Sequence, residues 1–209
     1  MRTRVKICGI TSPEDGLKAA RYADAIGLVF YEKSPRYIDL ETARAVVDCL
    51  PAYVTIVGLF VNHSQHQVEK ISQQLDLDLL QFHGNESAAE CESSGHAYMK
   101  AIRARDATTV ATALNDYDSA RGLLVDSYQK GSFGGTGETF NWELIPESSD
   151  RPIVLAGGLN PTNIEQAIKA VRPWAVDVSS GVESSPGIKD ESLIKKFLEG
   201  VANADAKRQ

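Results

Sequence analysis

The 209-residue sequence has few cysteines and no CxxC pair. Its three cysteines, Cys8, Cys49 and Cys91, are far apart and odd in number, which argues against a disulfide framework and a structural zinc site. His63 and His66 could share a helix face, but no third ligand joins them at metal-binding spacing. We therefore expect free thiols in a reducing, cytoplasmic compartment, and no bound metal.

The sequence also lacks an excess of positive charge and a long apolar run. Its formal net charge is −6, and phosphate backbones call for clustered Lys and Arg, so nucleic-acid binding is not expected as a main role. No apolar run approaches the ~20 residues of a membrane span, and no signal peptide precedes the first strand-like run. With 43% hydrophobic and 24% charged residues, the chain is expected to be a soluble globular protein that does not bind membranes.

Eight short apolar runs alternate with segments that have helix-like patterns. The runs are RVKIC, DAIGLVF, VTIVGLF, LDLLQF, AYMKAI, RGLLVD, RPIVLAG and PWAVDVS. Helices are predicted at Pro13–Tyr22, Leu40–Leu50, His66–Leu75, Ser87–Ser93, Ala107–Asn115, Trp142–Ile145, Thr162–Val171 and Glu191–Val201. Asp39 and Asn160 are helix-start signals for two of them. Strands alternating with helices indicate βαβ units, and continuous apolar strands are typical of a parallel sheet covered on both faces.

Eight such units favour a small (β/α)8 barrel, an α/β fold with a parallel eight-stranded core. The alternative is an open doubly wound sheet, but no G-x-G-x-x-G follows the first strand and no acidic ribose partner follows the second. No Pro-, Gly- or Ser-rich linker divides the chain, so residues 1–209 are predicted to form a single barrel domain. The polar tail from about Asn203 is expected to be frayed.

Polar residues collect at the ends of the predicted strands, where barrel enzymes place their active sites. Cys8 ends the first strand and Arg36 lies in the long loop after the second. Gln81 and His83 close the fourth strand, and Asp126 ends the sixth. Cysteine is among the most often buried residue types, so Cys8 alone is compatible with a core residue or a reactive thiol. The clustering favours the reactive thiol.

Two glycine-containing loops, after the seventh and eighth predicted strands, indicate a phosphate site. The candidate residues are Gly157, Gly158, Ser179, Ser180 and Gly181. Glycines let backbone N–H groups approach an anion closely, and barrel enzymes often bind phosphate with these two loops. The further glycine-rich stretch Gly134–Gly137 lacks the Lys-Ser/Thr of a P-loop and is interpreted as a hinge or lid.

Cys8 and Asp126 together suit a proton-transfer reaction that needs no cofactor. A partly buried carboxyl group can hold a proton near neutral pH, although Asp126 could equally form a turn or a helix cap. Cys8, close to Lys6 and to helix N-termini, is expected to have a lowered pKa and to act as a thiolate. Arg36 is either a clamp for a substrate carboxylate, which guanidinium matches in a bidentate pair, or a surface arginine.

With these residues in place, the chain resembles the phosphoribosylanthranilate isomerase family of tryptophan biosynthesis. The resemblance runs in order through KICGIT, SPRYI, QFHG, LLVDS, GGTGETFNW, LAGGLNPTN and DVSSGVESSPGIKD, and it covers nearly the whole chain. It implies Cys8 as general base, Asp126 as general acid and Arg36 as the residue that holds the anthranilate carboxylate. The two glycine-containing loops are then expected to bind the ribose phosphate. Further substrate contacts are expected from Gln81, His83 and Asp177.

The resemblance implies a cofactor-free Amadori rearrangement of a phosphorylated small molecule, N-(5'-phosphoribosyl)anthranilate. The rival enzymes are other phosphosugar barrels, such as the related isomerase of histidine biosynthesis or indole-glycerol-phosphate synthase. A non-catalytic phospholigand-binding module is a further alternative, since it would keep the phosphate loops but need neither Cys8 nor Asp126. The chain is expected to be a monomer or a homodimer.

Overall fold

Eight parallel strands close into a barrel in the computed structural model, which describes residues 2–104, 106–127, 142–146 and 149–207. The strands are β1 (Arg4–Cys8), β2 (Ala25–Val29), β3 (Thr55–Phe60), β4 (Leu79–Phe82), β5 (Tyr98–Ala104), β6 (Leu123–Ser127), β7 (Ile153–Leu155) and β8 (Ala175–Val178). They pair in chain order, and β8 pairs in parallel with β1. The predicted (β/α)8 barrel is confirmed, and the open sheet is excluded because its two edge strands would not pair with each other.

Helices follow the barrel strands on the outside. They are α1 (Pro13–Ala20), α2 (Leu40–Cys49), α3 (Gln65–Leu75), α4 (Ala88–Glu92), α5 (Ala107–Asp116), α6 (Ile164–Val171) and α7 (Glu191–Ala206). The short helix predicted at Trp142–Ile145 is a single 3-10 turn, Trp142–Leu144. The proposed hinge or lid, Gly134–Gly137, lies outside the described residues.

The two predicted helix-start signals have different outcomes. The Asp39 carboxylate accepts a hydrogen bond from the N–H of Thr42 at 2.9 Å and caps α2 as expected. The Asn160 side chain accepts from both the N–H and the hydroxyl of Thr162, at 2.9 and 2.6 Å. Such local bonds compete with helical ones, so α6 begins at Ile164 and its predicted start at Thr162 is wrong.

The barrel strands are apolar throughout because both of their faces are buried. On β6, Leu123 and Val125 pack outward against the helices, whereas Leu124 packs inside the barrel with Val57 and other residues. All three β6 residues are fully buried. Because side chains alternate along a strand, the next residue, Asp126, points to the barrel interior. This alternation decides which strand-end residues reach the site.

The chain after β8 contains a short hairpin that the sequence patterns did not predict. A 3-10 turn, Ser180–Val182, is followed by strands β9 (Glu183–Ser185) and β10 (Ile188–Lys189), which pair antiparallel around Pro186 and Gly187. Strands of two or three residues are too short to show an alternating apolar pattern, so nothing in the sequence marked them.

The predicted frayed tail is wrong, because α7 continues to Ala206. Ala204 is fully buried, and the Asp205 carboxylate accepts hydrogen bonds from the N–H and the hydroxyl of Thr3, at 2.6 and 2.7 Å. These contacts tie the last helix to the start of the first strand. No helix within the described ranges is long and apolar enough to span a bilayer.

Candidate active site

A cavity of about 370 Å³ opens at the carboxyl ends of the barrel strands. This volume is within the usual range for small-molecule sites, and the position is the one where barrel enzymes hold their substrates. Ten of the eleven predicted site residues line the cavity. They are Cys8, Arg36, Gln81, His83, Asp126, Gly157, Gly158, Asp177, Ser179 and Ser180.

Gly181, the remaining predicted residue, supports the site from outside the cavity lining. A Cβ atom at Gly181 would lie 1.9 Å from the carbonyl oxygen of Leu159, which no side chain could tolerate. The loop after β8 therefore lies directly against the loop after β7 because residue 181 is glycine. Its predicted place among the phosphate-contacting residues stays a prediction, since this packing involves the Cα side of Gly181 and not its N–H.

Asp126 is held by a pair of polar side chains at the carboxyl end of β4. The His83 imidazole Nε2 lies 3.2 Å from Oδ2 of Asp126, and the Gln81 amide nitrogen lies 3.0 Å from Nδ1 of His83. With the amide donating to Nδ1, a neutral His83 carries its proton on Nε2 and donates it toward the carboxyl group. All three side chains are buried. The contacts orient the Asp126 carboxyl group within the cavity.

Cys8 lies beside a buried ion pair. The ammonium group of Lys6 donates to both carboxylate oxygens of Asp177, at 2.9 and 3.0 Å, and both side chains are more than nine-tenths buried. On strand β2, a Cβ atom at Gly27 would lie 2.7 Å from Sγ of Cys8 and 2.9 Å from Nζ of Lys6. Gly27 thus leaves room for the thiol and the ammonium group, a role that sequence reasoning missed.

The predicted lowering of the Cys8 pKa is wrong. Burial raises the pKa of the Cys8 thiol, and the positive charge of Lys6 offsets this only in part. Burial also disfavours the charged form of Lys6, but the charges and hydrogen bonds of Asp177 and Cys8 together outweigh burial, so the pKa of Lys6 is raised. Lys6 therefore stays protonated and is the principal group that favours the Cys8 thiolate.

Arg36 reaches the cavity from the loop between β2 and α2. Its Nε and Nη2 donate to the two carboxylate oxygens of Glu183, at 2.8 and 2.7 Å. Gly9, with φ of +78°, lies against the stem of Arg36, since a Cβ atom there would be 2.5 Å from its Cδ. Arg36 is therefore a fixed, largely buried side chain, and its interpretation as an ordinary surface arginine is wrong. Glu183 was not among the predicted site residues, although it ends the motif DVSSGVE.

Backbone N–H groups gather where the loops after β7 and β8 meet. Gly157 and Gly158 have φ of +84° and +63°, a conformation that glycine adopts without strain. Within the described part of the chain, the N–H groups of Gly157, Gly158 and Ser180 have no hydrogen-bond partner. The buried hydroxyl of Ser179 likewise has none. Such a set of converging donors is suited to an anion.

The described residues contain no group of three or more His, Cys, Asp or Glu side chains that could hold a metal ion. His63, one of the two histidines considered as metal ligands, is partly buried. Its Nδ1 accepts from the N–H of Val61 at 3.2 Å, and its Nε2 lies 3.1 Å from the carbonyl oxygen of Phe30. It has a local structural role.

Comparison with known proteins agrees with this geometry. A family model described as N-(5'phosphoribosyl)anthranilate (PRA) isomerase matches residues 5–200. The N-(5'-phosphoribosyl)anthranilate isomerase of Pseudomonas fluorescens (strain SBW25) is 52% identical over 202 residues, which cover 96% of each chain. The relative from Azotobacter vinelandii is 50% identical over 202 residues, 96% of this chain and 98% of that protein.

Solved structures of the same enzyme superpose closely on the barrel. Phosphoribosyl anthranilate isomerase from Thermotoga maritima has a TM-score of 0.89 and 41% identity, covering 96% of this chain and 99% of that one. A complex of the enzyme with reduced 1-(o-carboxyphenylamino)-1-deoxyribulose 5-phosphate has a TM-score of 0.86 and 40% identity, with the same coverage. A monomeric form of the dimeric Thermotoga maritima enzyme gives 0.85 and 40%, again with that coverage. The chain belongs to the N-(5'-phosphoribosyl)anthranilate isomerase family.

Proposed function

We propose that the chain converts N-(5'-phosphoribosyl)anthranilate into 1-(2-carboxyphenylamino)-1-deoxyribulose 5-phosphate, with Asp126 as general acid and Cys8 as general base. The observation that carries the proposal is the meeting of a carboxyl group, a thiol, an arginine and a set of unpaired N–H groups in one cavity. The known complex of a relative with the reduced product supports the choice of ligand.

The first step opens the ribose ring. Asp126 donates its proton to the ring oxygen as the bond from that oxygen to C1' breaks, and the lone pair of the anthranilate nitrogen forms a protonated Schiff base with C1'. His83 orients the Asp126 carboxyl group for this transfer. Positioned general acids of this kind contribute roughly 10²–10⁴-fold to a rate.

The second step moves a proton from carbon. The Cys8 thiolate removes the proton from C2', and the electrons of that bond form the enolamine double bond while the Schiff base returns to an amine. Ketonisation then places a proton on C1' and releases the enol proton, so that the reaction has no net change in protons. Cys8 is on β1 and Asp126 on β6, with β8 and β7 between them, so the two groups act from different sides of the barrel mouth.

The two ends of the substrate bind on either side of these groups. The phosphate is placed at the N–H groups of Gly157, Gly158 and Ser180 and at the hydroxyl of Ser179, because these donors have no partner within the described residues. The anthranilate carboxylate is placed at Arg36. Gln81 and His83 act on the substrate indirectly, because they orient Asp126. Asp177 likewise acts on Cys8 indirectly, through its ion pair with Lys6.

A fluorescence assay for the loss of N-(5'-phosphoribosyl)anthranilate tests the proposal directly. Turnover by the purified chain, without added metal or cofactor and after treatment with a chelator, supports it. Tight binding of the reduced product without turnover of the substrate would instead identify a non-catalytic binding module. Turnover of a different phosphosugar, in preference to this substrate, would identify one of the rival barrel enzymes.

We further propose that the protein works in the cytoplasm as a monomer or a homodimer. The compartment rests on the three cysteines, all of which are free thiols here. Light scattering across a range of protein concentrations distinguishes the two oligomeric states.

A further inference from the structure

The hairpin after β8 carries a buried charge cluster that the proposed chemistry does not use. Glu183 on β9 receives two hydrogen bonds from Arg36 and one, at 2.6 Å, from the ammonium group of Lys189 on β10. The side chains of Glu183 and Lys189 are 4% and 0% exposed. One carboxylate between two buried cations is expensive to place in a protein interior unless the geometry is needed.

The contacts of Glu183 use one specific edge of the Arg36 guanidinium group. Guanidinium has five N–H donors in a rigid plane, and Glu183 takes those on the Nε–Nη2 side. Among the described residues, Nη1 of Arg36 has no hydrogen-bond partner. The Nη1–Nη2 edge is therefore still able to bind a second carboxylate in a bidentate pair.

Glu183 holds this group from behind the site. Arg36 lines the cavity and Glu183 does not, so a ligand in the cavity meets the guanidinium and not the carboxylate. Burial raises the pKa of Glu183, but the bonds from Arg36 and the charge of Lys189 outweigh burial and leave its pKa lowered. The carboxylate thus stays charged at neutral pH and keeps its two hydrogen bonds to Arg36.

Lys189 connects the cluster to the carboxyl ends of β1, which carries Cys8, and β8. Its ammonium group donates to the carbonyl oxygen of Cys8 at 2.6 Å and to that of Ser179 at 3.3 Å. The backbone N–H of Lys189 donates to Asp15 on α1 at 2.8 Å. The hairpin therefore fixes the position of Arg36 relative to the ends of β1 and β8.

We propose that Glu183 is a positioning residue that orients Arg36 for the carboxylate of the aromatic ring. Lys189 fixes the position of Glu183 relative to β1, the strand that carries Cys8. This inference rests on the proposed function, since it assigns the ring carboxylate to Arg36. It makes the hairpin a determinant of substrate specificity: the preference for an aromatic amine with an ortho carboxylate depends on Glu183.

The test compares two ligands that differ only in this carboxylate. The probes are reduced 1-(o-carboxyphenylamino)-1-deoxyribulose 5-phosphate and the same compound with an unsubstituted phenyl ring, with affinities measured by titration calorimetry. The wild-type protein should prefer the carboxylated ligand by about 10- to 100-fold, the range expected for hydrogen bonds between charged groups. Glu183→Gln should reduce that preference by about tenfold, because one amide oxygen cannot accept both guanidinium donors. The affinity of Glu183→Gln for the phenyl ligand should stay within about threefold of the wild-type affinity.

Glu86→Gln is the matched control. Glu86 forms a buried ion pair with Lys100 at 2.7 Å, with 5% and 3% of the two side chains exposed, and it lies outside the cavity lining. Glu86→Gln should destabilise the protein as Glu183→Gln does, yet leave unchanged the ratio of the affinities for the carboxylated and the phenyl ligand. With substrate, Glu183→Gln should raise KM by about tenfold and change kcat by less than about threefold.

If Glu183→Gln does not fold, Glu183→Asp keeps the charge but shortens the side chain by one methylene, and it should lose preference in the same way. A folded Glu183 variant with the wild-type preference overturns the inference while the proposed function stands. A wild-type protein that binds both ligands equally overturns it as well, and it also removes Arg36 from carboxylate binding. Absence of turnover in the wild type is the separate outcome that refutes the proposed function.

Discussion

The charge of Lys6 should control the ionisation of Cys8, and removing it should raise the Cys8 pKa. The Cβ position of Gly27 lies 2.7 Å from Sγ and 2.9 Å from Nζ, and these two distances together bound the Sγ–Nζ separation at about 5.6 Å. At an effective dielectric constant of about 20, a unit charge at that distance contributes about 3 kcal/mol, or about two pKa units. Lys6→Met should therefore raise the pKa of Cys8 by about two units above its already raised value.

Asp177→Asn is the opposing variant. The Asp177 charge raises the pKa values of both Cys8 and Lys6, so its removal should lower both. The assay is the pH dependence of thiolate absorbance in a Cys49→Ser background. Cys91 is replaced as well, by Ala, because burial raises its pKa to about 12 and it would ionise in the same alkaline range as a further raised Cys8.

Each of these variants leaves a buried group without its ion-pair partner, which costs about 3–5 kcal/mol, so circular dichroism must first show that the barrel is intact. Shifts of the Cys8 pKa in the same direction for both variants, or no shift in a folded Lys6→Met protein, would refute this electrostatic reasoning.

Three further predictions concern the base, the phosphate site and the last helix. Cys8→Ser should fold normally and lose ~10²–10⁴-fold in kcat, because a hydroxyl is a far weaker base at neutral pH; a kcat near that of the wild type would exclude Cys8 as the base. Gly158→Asp should raise KM and weaken inhibition by inorganic phosphate, since it puts a negative side chain at the anion site. Gly95→Asp is the control, because Gly95 also has a positive φ, +66°, but a side chain there would face open space. It should lower stability and leave KM unchanged, and equal effects of the two variants on KM would place the phosphate elsewhere. Asp205→Ala removes the two hydrogen bonds to Thr3 and should lower the free energy of unfolding by about 1–3 kcal/mol, measured by urea denaturation. A change below about 0.5 kcal/mol would show that the last turn of α7 contributes little.

The barrel and much of its site could be predicted because both follow from short-range patterns. Leu123, Leu124 and Val125 form a continuous apolar run of the kind found in strands buried on both faces, and Asp126 is the residue that follows them. The same alternation places Lys6 with Cys8 on the inner face of β1. Glycines in the loops after the predicted seventh and eighth strands indicated where unpaired N–H groups gather, which is the place proposed for the phosphate.

What the sequence could not predict depends on contacts between distant residues. Glu183 lies 147 positions from Arg36, and nothing local to either indicates that they pair. The direction of the Cys8 pKa shift depends on how deeply the closed barrel buries the thiol, so proximity to Lys6 along the chain led to the wrong expectation. The predicted end of the last helix was wrong, because the polar residues after Asn203 do not indicate that the Asp205 carboxylate accepts a hydrogen bond from Thr3.

The role of Asp126 as general acid is tested most directly by the pH dependence of kcat/KM for Asp126→Asn. With Asp126 protonated and Cys8 ionised in the active form, the wild-type profile should be bell-shaped, whichever group titrates first. An amide cannot donate the required proton, so activity should fall by ~10²–10⁴-fold and the residual rate should lose one limb of the bell. The absence of a viscosity effect on the rate shows that chemistry is limiting. A folded Asp126→Asn enzyme with substantial turnover and both limbs intact would contradict the mechanism.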